Sequence, residues 1–314
     1  MSAMSASPAR DDWSYRISGL HVRSDFPLAG SIALHNPIHP HDIRIRLGEV
    51  PATLDGAVAI GPNWQSAPPA FLLEVPGVVR FLVTAGSDIV VAPTAGVPIA
   101  DAAIFVVGSG IAIALYQRGA MILHASAVAH GDRAFAFSGA SGAGKSTLAA
   151  LLCLGGDCKM LSDDVAAIDL DGAHPALKAD GRRFRLWEDV LDWLPGTISR
   201  GVPVRSAINK YHVEFPAHQG GESPPLRAIY MLAPLPAGSD PTIELLPLGH
   251  AAFALDRHGY RRNLSAQIGD RARKLEQMAR LLGSVPVYLF SRSPAQGDNP
   301  RSVTLLKEHW ASLA

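Results

Sequence analysis

Between Trp13 and about Val97 the apolar residues come in short runs, either alternating with polar ones or rich in β-branched side chains. The runs are Tyr15–Val22, Asp42–Leu47, Phe71–Val75, Val79–Thr84 and Asp88–Val91. A period of two places every second side chain on one face of a strand. Proline and glycine separate the runs and no helical period is sustained, so the pattern predicts a small β-rich N-terminal domain over residues 13–100. Residues 1–12 are polar and rich in Ser and Ala, which predicts a disordered tail.

Beyond residue 100 the pattern changes. An uncharged run, Ala102–Tyr116, opens a helix that extends to Arg118. At 15 residues the run is shorter than the about 20 that a membrane span needs, and Gly108, Ser109 and Gly110 interrupt it, so a buried core helix is expected. Strand-like Ile122–Ala129 and Ala134–Ser138 come next, then a helix from Lys145 to about Leu154. Lys159–Leu161 and Val165–Leu170 read as short strands, Trp187–Leu194 as a short helix, and Ala207–Phe215, Leu226–Leu232, Thr242–Leu248 and Val285–Phe290 as strands. Asp270–Leu282 has Leu275, Met278, Leu281 and Leu282 at helical spacing on one face. Ser302–Leu313 predicts a closing helix, and Pro216–Pro225 a mobile loop. The whole predicts an α/β domain over residues 101–314.

Composition narrows the function classes. Apolar residues make up 48% of the 314, enough for a sizeable core, while 28 basic residues balance 28 acidic ones. A globally basic footprint for nucleic acid or a membrane surface is thereby excluded. The only cysteines, Cys153 and Cys158, fall on one apparent helix without partners at zinc-site spacing, and read as reduced and packed. His35, His39 and His41 cluster in HNPIHPHD, but two prolines and the lack of a fourth ligand favour a solvated loop over a metal site. The N-terminal residues contain no apolar leader, so a soluble, cytoplasmic protein is expected.

One motif carries chemistry. Residues 139–146 complete the pattern G-x-x-x-x-G-K-[ST], with Gly139, Ala140, Ser141, Gly142, Ala143, Gly144, Lys145 and Ser146 followed by Thr147. The glycines let successive backbone N–H groups turn inward, and the positive end of the next helix adds to the same phosphate cradle. Lys145 is placed for the β- and γ-phosphates of a nucleotide and the Ser146 hydroxyl for Mg²⁺. A buried strand precedes the motif and a helix succeeds it, as a P-loop requires. Asp163 and Asp164 come 18 and 19 residues after Lys145, the length of one helix, a turn and a strand. One carboxylate near Mg²⁺ and one near an acceptor hydroxyl is what phosphoryl transfer to an alcohol needs. His124 and Ser126 lie on the strand before the P-loop strand, where His124 is either a phosphate-side group or a satisfied core histidine.

The segments His124-Ala-Ser-Ala-Val, FSGASGAGKST and MLSDDVAAI resemble the catalytic domain of HPr kinase/phosphorylase, and more closely the wider group of HPr kinase-related bacterial proteins. The resemblance implies a fold of the phosphoenolpyruvate carboxykinase type, a homo-oligomer, and an ATP- and Mg²⁺-dependent kinase acting on a serine of a protein or peptide. It assigns the metal-side carboxylate to Asp163, the base to Asp164, and an assisting role at the phosphates to His124. The family's glutamate signature would fall on Glu188, 24 residues after Asp164, but without the signature's glycines, leaving Glu188 a weak candidate for Mg²⁺. The missing signature also sets HPr itself and phosphorylase activity in question. Some relatives with this pattern resemble kinases of the C-terminal serine of lasso-peptide precursors. A small-molecule kinase on the same scaffold and a nucleotide-gated regulatory module are the alternatives. Arg182–Arg185, Arg205–Lys210 and the loop at 216–225 have the composition of an acceptor-site wall.

Overall fold

A computed structural model describes residues 12–34, 40–192, 194, 200–205, 208–213 and 223–313. The 1–11 part of the expected tail, His35 and His39, and most of the 216–225 loop lie outside the described residues. The N-terminal strands form one eight-stranded mixed sheet. Its order is Trp13–Ile17, Leu20–Ser24, Ile43–Leu47, Asp88–Pro93, Val79–Thr84, Ala70–Val75, Trp64–Ala67 and Ala59–Ile60. Strict alternation explains its one-sidedness: Val79, Phe81 and Val83 are buried while their neighbours are not. The run read as Tyr15–Val22 is a hairpin, because Ser18 and Gly19 both adopt positive φ (50° and 79°) and reverse the chain in two residues.

The apolar run after residue 98 forms one helix, Ile99–Gln117, with a π turn at Val106–Gly110. It is the one described helix long and apolar enough to cross a membrane, and 67% of its most apolar window is buried in the protein. It packs on the N-terminal sheet, against Phe81, Ile89 and Val91, and on Ile122, Val165, Tyr260 and Leu264 from the other half. The helix therefore belongs to the β-domain's core as much as to the C-terminal half of the chain.

The second half is mixed α/β. Its main sheet runs Cys158–Ser162, Ala125–His130, Arg133–Gly139, Leu226–Pro234, Val287–Arg292 and Thr242–Leu245. The three central strands Arg133–Gly139, Leu226–Pro234 and Val287–Arg292 are parallel and apolar on both faces. On one face the helix Lys145–Leu154 buries Leu148, Ala149 and Leu152, and the closing helix Asn299–Ser312 stacks Trp310 on Phe135 with centroids 4.1 Å apart. On the other, Leu248–Arg257 and Arg271–Leu282 bury Ala251, Leu255 and Leu281. Asp270 caps the latter helix, accepting from the Ala272 N–H at 2.9 Å. Leu275, expected on its apolar face, is 64% exposed.

Candidate functional site

Strand direction brings the motif residues together. The P-loop strand ends at Gly139. Its hairpin partner Ala125–His130 runs antiparallel, with Ala125 opposite Ser138, so His124 and Ser126 lie at the same sheet edge. Cys158–Ser162 runs antiparallel to that partner, which brings its C-terminus and Asp163 to the edge as well. The carboxyl ends of parallel strands are where open α/β sheets bind ligands.

The loop has the backbone its motif demands. Gly139, Gly142 and Gly144 have φ of +145°, +82° and +82°, where any other residue is strained. A Cβ on Gly139 would also stand 3.0 Å from the Leu232 carbonyl oxygen. Lys145, buried at the first turn of the helix, donates to the carbonyls of Gly139 and Ala140 at 3.1 and 3.0 Å. Burial pushes its ammonium below the ordinary value, opposed by Asp164 and Asp163. Ala140, Ser141 and Gly142 are exposed, Ala143 and Thr147 half-buried.

The two aspartates face different partners. Asp163 is buried, and its Oδ1 accepts from the hydroxyls of both Ser146 and Ser126, each at 2.7 Å. Its Oδ2 accepts the Arg185 backbone N–H at 3.0 Å. Asp164, at φ +76°, turns its carboxylate the other way, where Arg185 Nη2 lies 2.6 Å from Oδ2 and His124 Nδ1 3.3 Å from Oδ1. Burial alone would push the Asp164 carboxyl up, but the Arg185 charge, then His124, hold it well below the usual carboxylate range. His124 occupies a break between two strands, and its ring stacks on Tyr260 with centroids 5.8 Å apart. Burial lowers its pKa, with Asp164 opposing. Tyr260 was invisible to motif reasoning, since nothing in HGYRR marks it.

The expected acceptor wall is only partly such. Arg182 is buried, with its Nε donating to Asp180 at 2.6 Å, and serves the core. Arg183 donates to the Ser31 carbonyl at 3.1 Å and ties the β domain to the site. Lys210 lies over the Trp187 ring, 5.3 Å from its centroid. Arg182, Arg183, Arg185, His212 and Asp163 line a cavity of about 30 Å³ together with Gly30 and with Gly108 of the π turn. The carboxylate of Glu188, the weak Mg²⁺ candidate, pairs with Arg200 at 2.8 Å.

The donor set suits Mg²⁺. Among the described residues no three His, Cys, Asp or Glu side chains stand together as a metal cage. Mg²⁺ bound with a nucleotide needs none, because it takes one or two protein oxygens and completes its shell with phosphate and water. The Ser146 hydroxyl and the Asp163 carboxylate are such a pair.

No family model matches the chain, and no curated protein matches it in sequence. Among solved structures it is similar to the HPr(Ser) kinase/phosphatase from Coxiella burnetii, with 13% identity, 61% of this chain and 92% of that chain covered, and a TM-score of 0.33. A likeness of that size says nothing about activity.

Proposed function

We propose that the chain is a Mg²⁺- and ATP-dependent kinase that phosphorylates a hydroxyl at the mouth of the P-loop. The observation that carries this reading is the bond between Ser146 and Asp163 at 2.7 Å, with a second, ionised aspartate one residue further on. Bound Mg²⁺–ATP supplies an electrophilic γ-phosphoryl group and a metal that neutralises charge on its oxygens. Glycine-turned N–H groups and Lys145 hold the phosphates, while Ser146 and Asp163 hold the metal side. Ser126 keeps Asp163 oriented. Asp164 takes the acceptor's proton, and Arg185 and His124 fix its direction. A carboxylate this well paired is a weak base at rest, yet phosphoryl transfer passes through a loose transition state in which position and charge matter most. The acceptor is a serine of a protein or peptide, an assignment that rests on the sequence resemblance, with the C-terminal serine of a lasso-peptide precursor as its narrowest form.

The test is purified protein with labelled ATP, Mg²⁺ and serine peptides, including ones ending in serine, read by mass spectrometry. Lys145→Ala removes the point charge on the transferring phosphate, and transfer is expected to fall by at least ~10³-fold. Near-normal turnover in that variant refutes the assignment.

A further inference from the structure

Arg292 ends the strand Val287–Arg292, opposite Pro234, at the same sheet edge as Gly139. It is 2% exposed. Its Nη1 donates to Asn299 Oδ1 at 2.9 Å, and its Nε has no partner. No carboxylate among the described residues pairs with it, and burial by itself pulls its pKa down to about 10. Among the described residues the other buried arginine, Arg182, has Asp180 beside it. A guanidinium taken out of water without a counter-charge is a costly arrangement. Asn299 does not relieve it, being neutral, buried and itself left with an unpartnered Nδ2.

The location gives the arrangement a purpose. A Cβ built on Gly144 would stand 2.6 Å from Arg292 Nη2. The guanidinium thus lies against Gly144, the residue just before the helix Lys145–Leu154. That helix end and the inward-turned loop are built to take a polyphosphate. An anion presented there is the counter-charge Arg292 otherwise lacks, and arginine's rigid fork of donors suits phosphate oxygens.

We infer that Arg292 is a nucleotide-binding residue that contacts the bound polyphosphate from the neighbouring strands' edge, with Asn299 as its positioning residue. This rests on the nucleotide-binding reading of the P-loop. It adds a second cation to Lys145, one that no sequence motif marks.

The experiment is ADP binding in the presence of Mg²⁺ by calorimetry, with thermal midpoints taken with and without ADP. Arg292→Gln is expected to weaken ADP at least about tenfold, while the midpoint without ADP stays the same or rises, because an unpaired buried charge has gone. Asn299→Asp gives Arg292 a carboxylate in place and is expected to weaken ADP by about threefold or more with an unchanged fold. Parental ADP affinity in Arg292→Gln overturns the inference, whether the midpoint holds or falls; a fall would mark the residue as a wedge under the loop. Should Arg292→Gln fail to fold, Asn299→Asp and Arg292→Lys decide, and parental affinity in both overturns it. Lys145→Ala separates the two levels. Loss of ADP in Lys145→Ala but not in Arg292→Gln sinks the Arg292 inference alone; parental affinity in both sinks the nucleotide reading beneath it.

Discussion

His212 makes the stability of this protein depend on pH between 4 and 6.5. The imidazole is 5% exposed and neither ring nitrogen has a hydrogen-bond partner. Gly30 lies against the ring, with a built Cβ only 2.0 Å from Cε1. Burial, then the charges of Arg185 and Arg183, push its pKa down to about 4, with Asp163 opposing and Lys210 adding to the shift. The unfolded chain binds a proton at His212 near pH 6.5, and the folded one does not until about pH 4. Stability from this residue is therefore whole above pH 6.5 and is lost as the pH falls. A shift from 6.5 to about 4 is worth about 2 kcal/mol at pH 5 by linkage. The assay is the thermal midpoint at pH 7.5 and pH 5 for the parent and for His212→Gln, which keeps a buried polar group but cannot protonate. The parent is expected to lose roughly 3 °C more than the variant. Histidines 124, 258 and 309 also titrate low and act in both proteins, so the difference isolates His212. Parallel losses in the two would refute the argument.

Other expectations concern the acidic pair and the cavity wall. Asp164→Asn is expected to keep Mg²⁺–nucleotide binding and abolish transfer, whereas Asp163→Asn raises the Mg²⁺ needed for binding; nucleotide titrations at several Mg²⁺ concentrations check this, and swapped phenotypes reverse the two roles. Gly30→Ala combines a φ of +78° with the collision on His212 and is expected to destabilise by more than about 2 kcal/mol. His212→Ala in the same chain is expected to restore the steric part, and no recovery in the double variant's thermal midpoint would show that the backbone alone objects.

How much of this was legible depended on how local the cause was. The helix Lys145–Leu154 and its loop arise from glycines and helix formers adjacent in sequence, and their bounds are those expected. Asp163 and Asp164 were reached by counting residues, because one helix and one antiparallel strand return the chain to the same edge. Ile122–Ala129, expected as one strand, breaks at His124 because its two halves pair with different sheets. The strand expected over Thr242–Leu248 stops at Leu245, and Pro247 caps an unforeseen helix, Leu248–Arg257. Leu248 and Phe253 on that helix are 67% and 65% exposed, so no apolar stripe announces it. No motif in the sequence marks Arg292; only the pairing of distant strands puts it beside Gly144.

The helix Ile99–Gln117 is shared between the two halves of the chain. Val106, Ile111 and Ile113 are buried, and at its end the Tyr116 hydroxyl donates to the carbonyl of Tyr260, whose ring carries His124. The chain is therefore not modular in the way its change of sequence pattern suggests. A fragment begun at residue 99 would present a greasy cylinder to water and slacken the support under His124, and an exchange of the outer sheet for a relative's would have to match that cylinder ridge by ridge. Evolution of the β domain is thus tethered to the P-loop half through this shared rod as well as through the strap that Arg183 makes to Ser31.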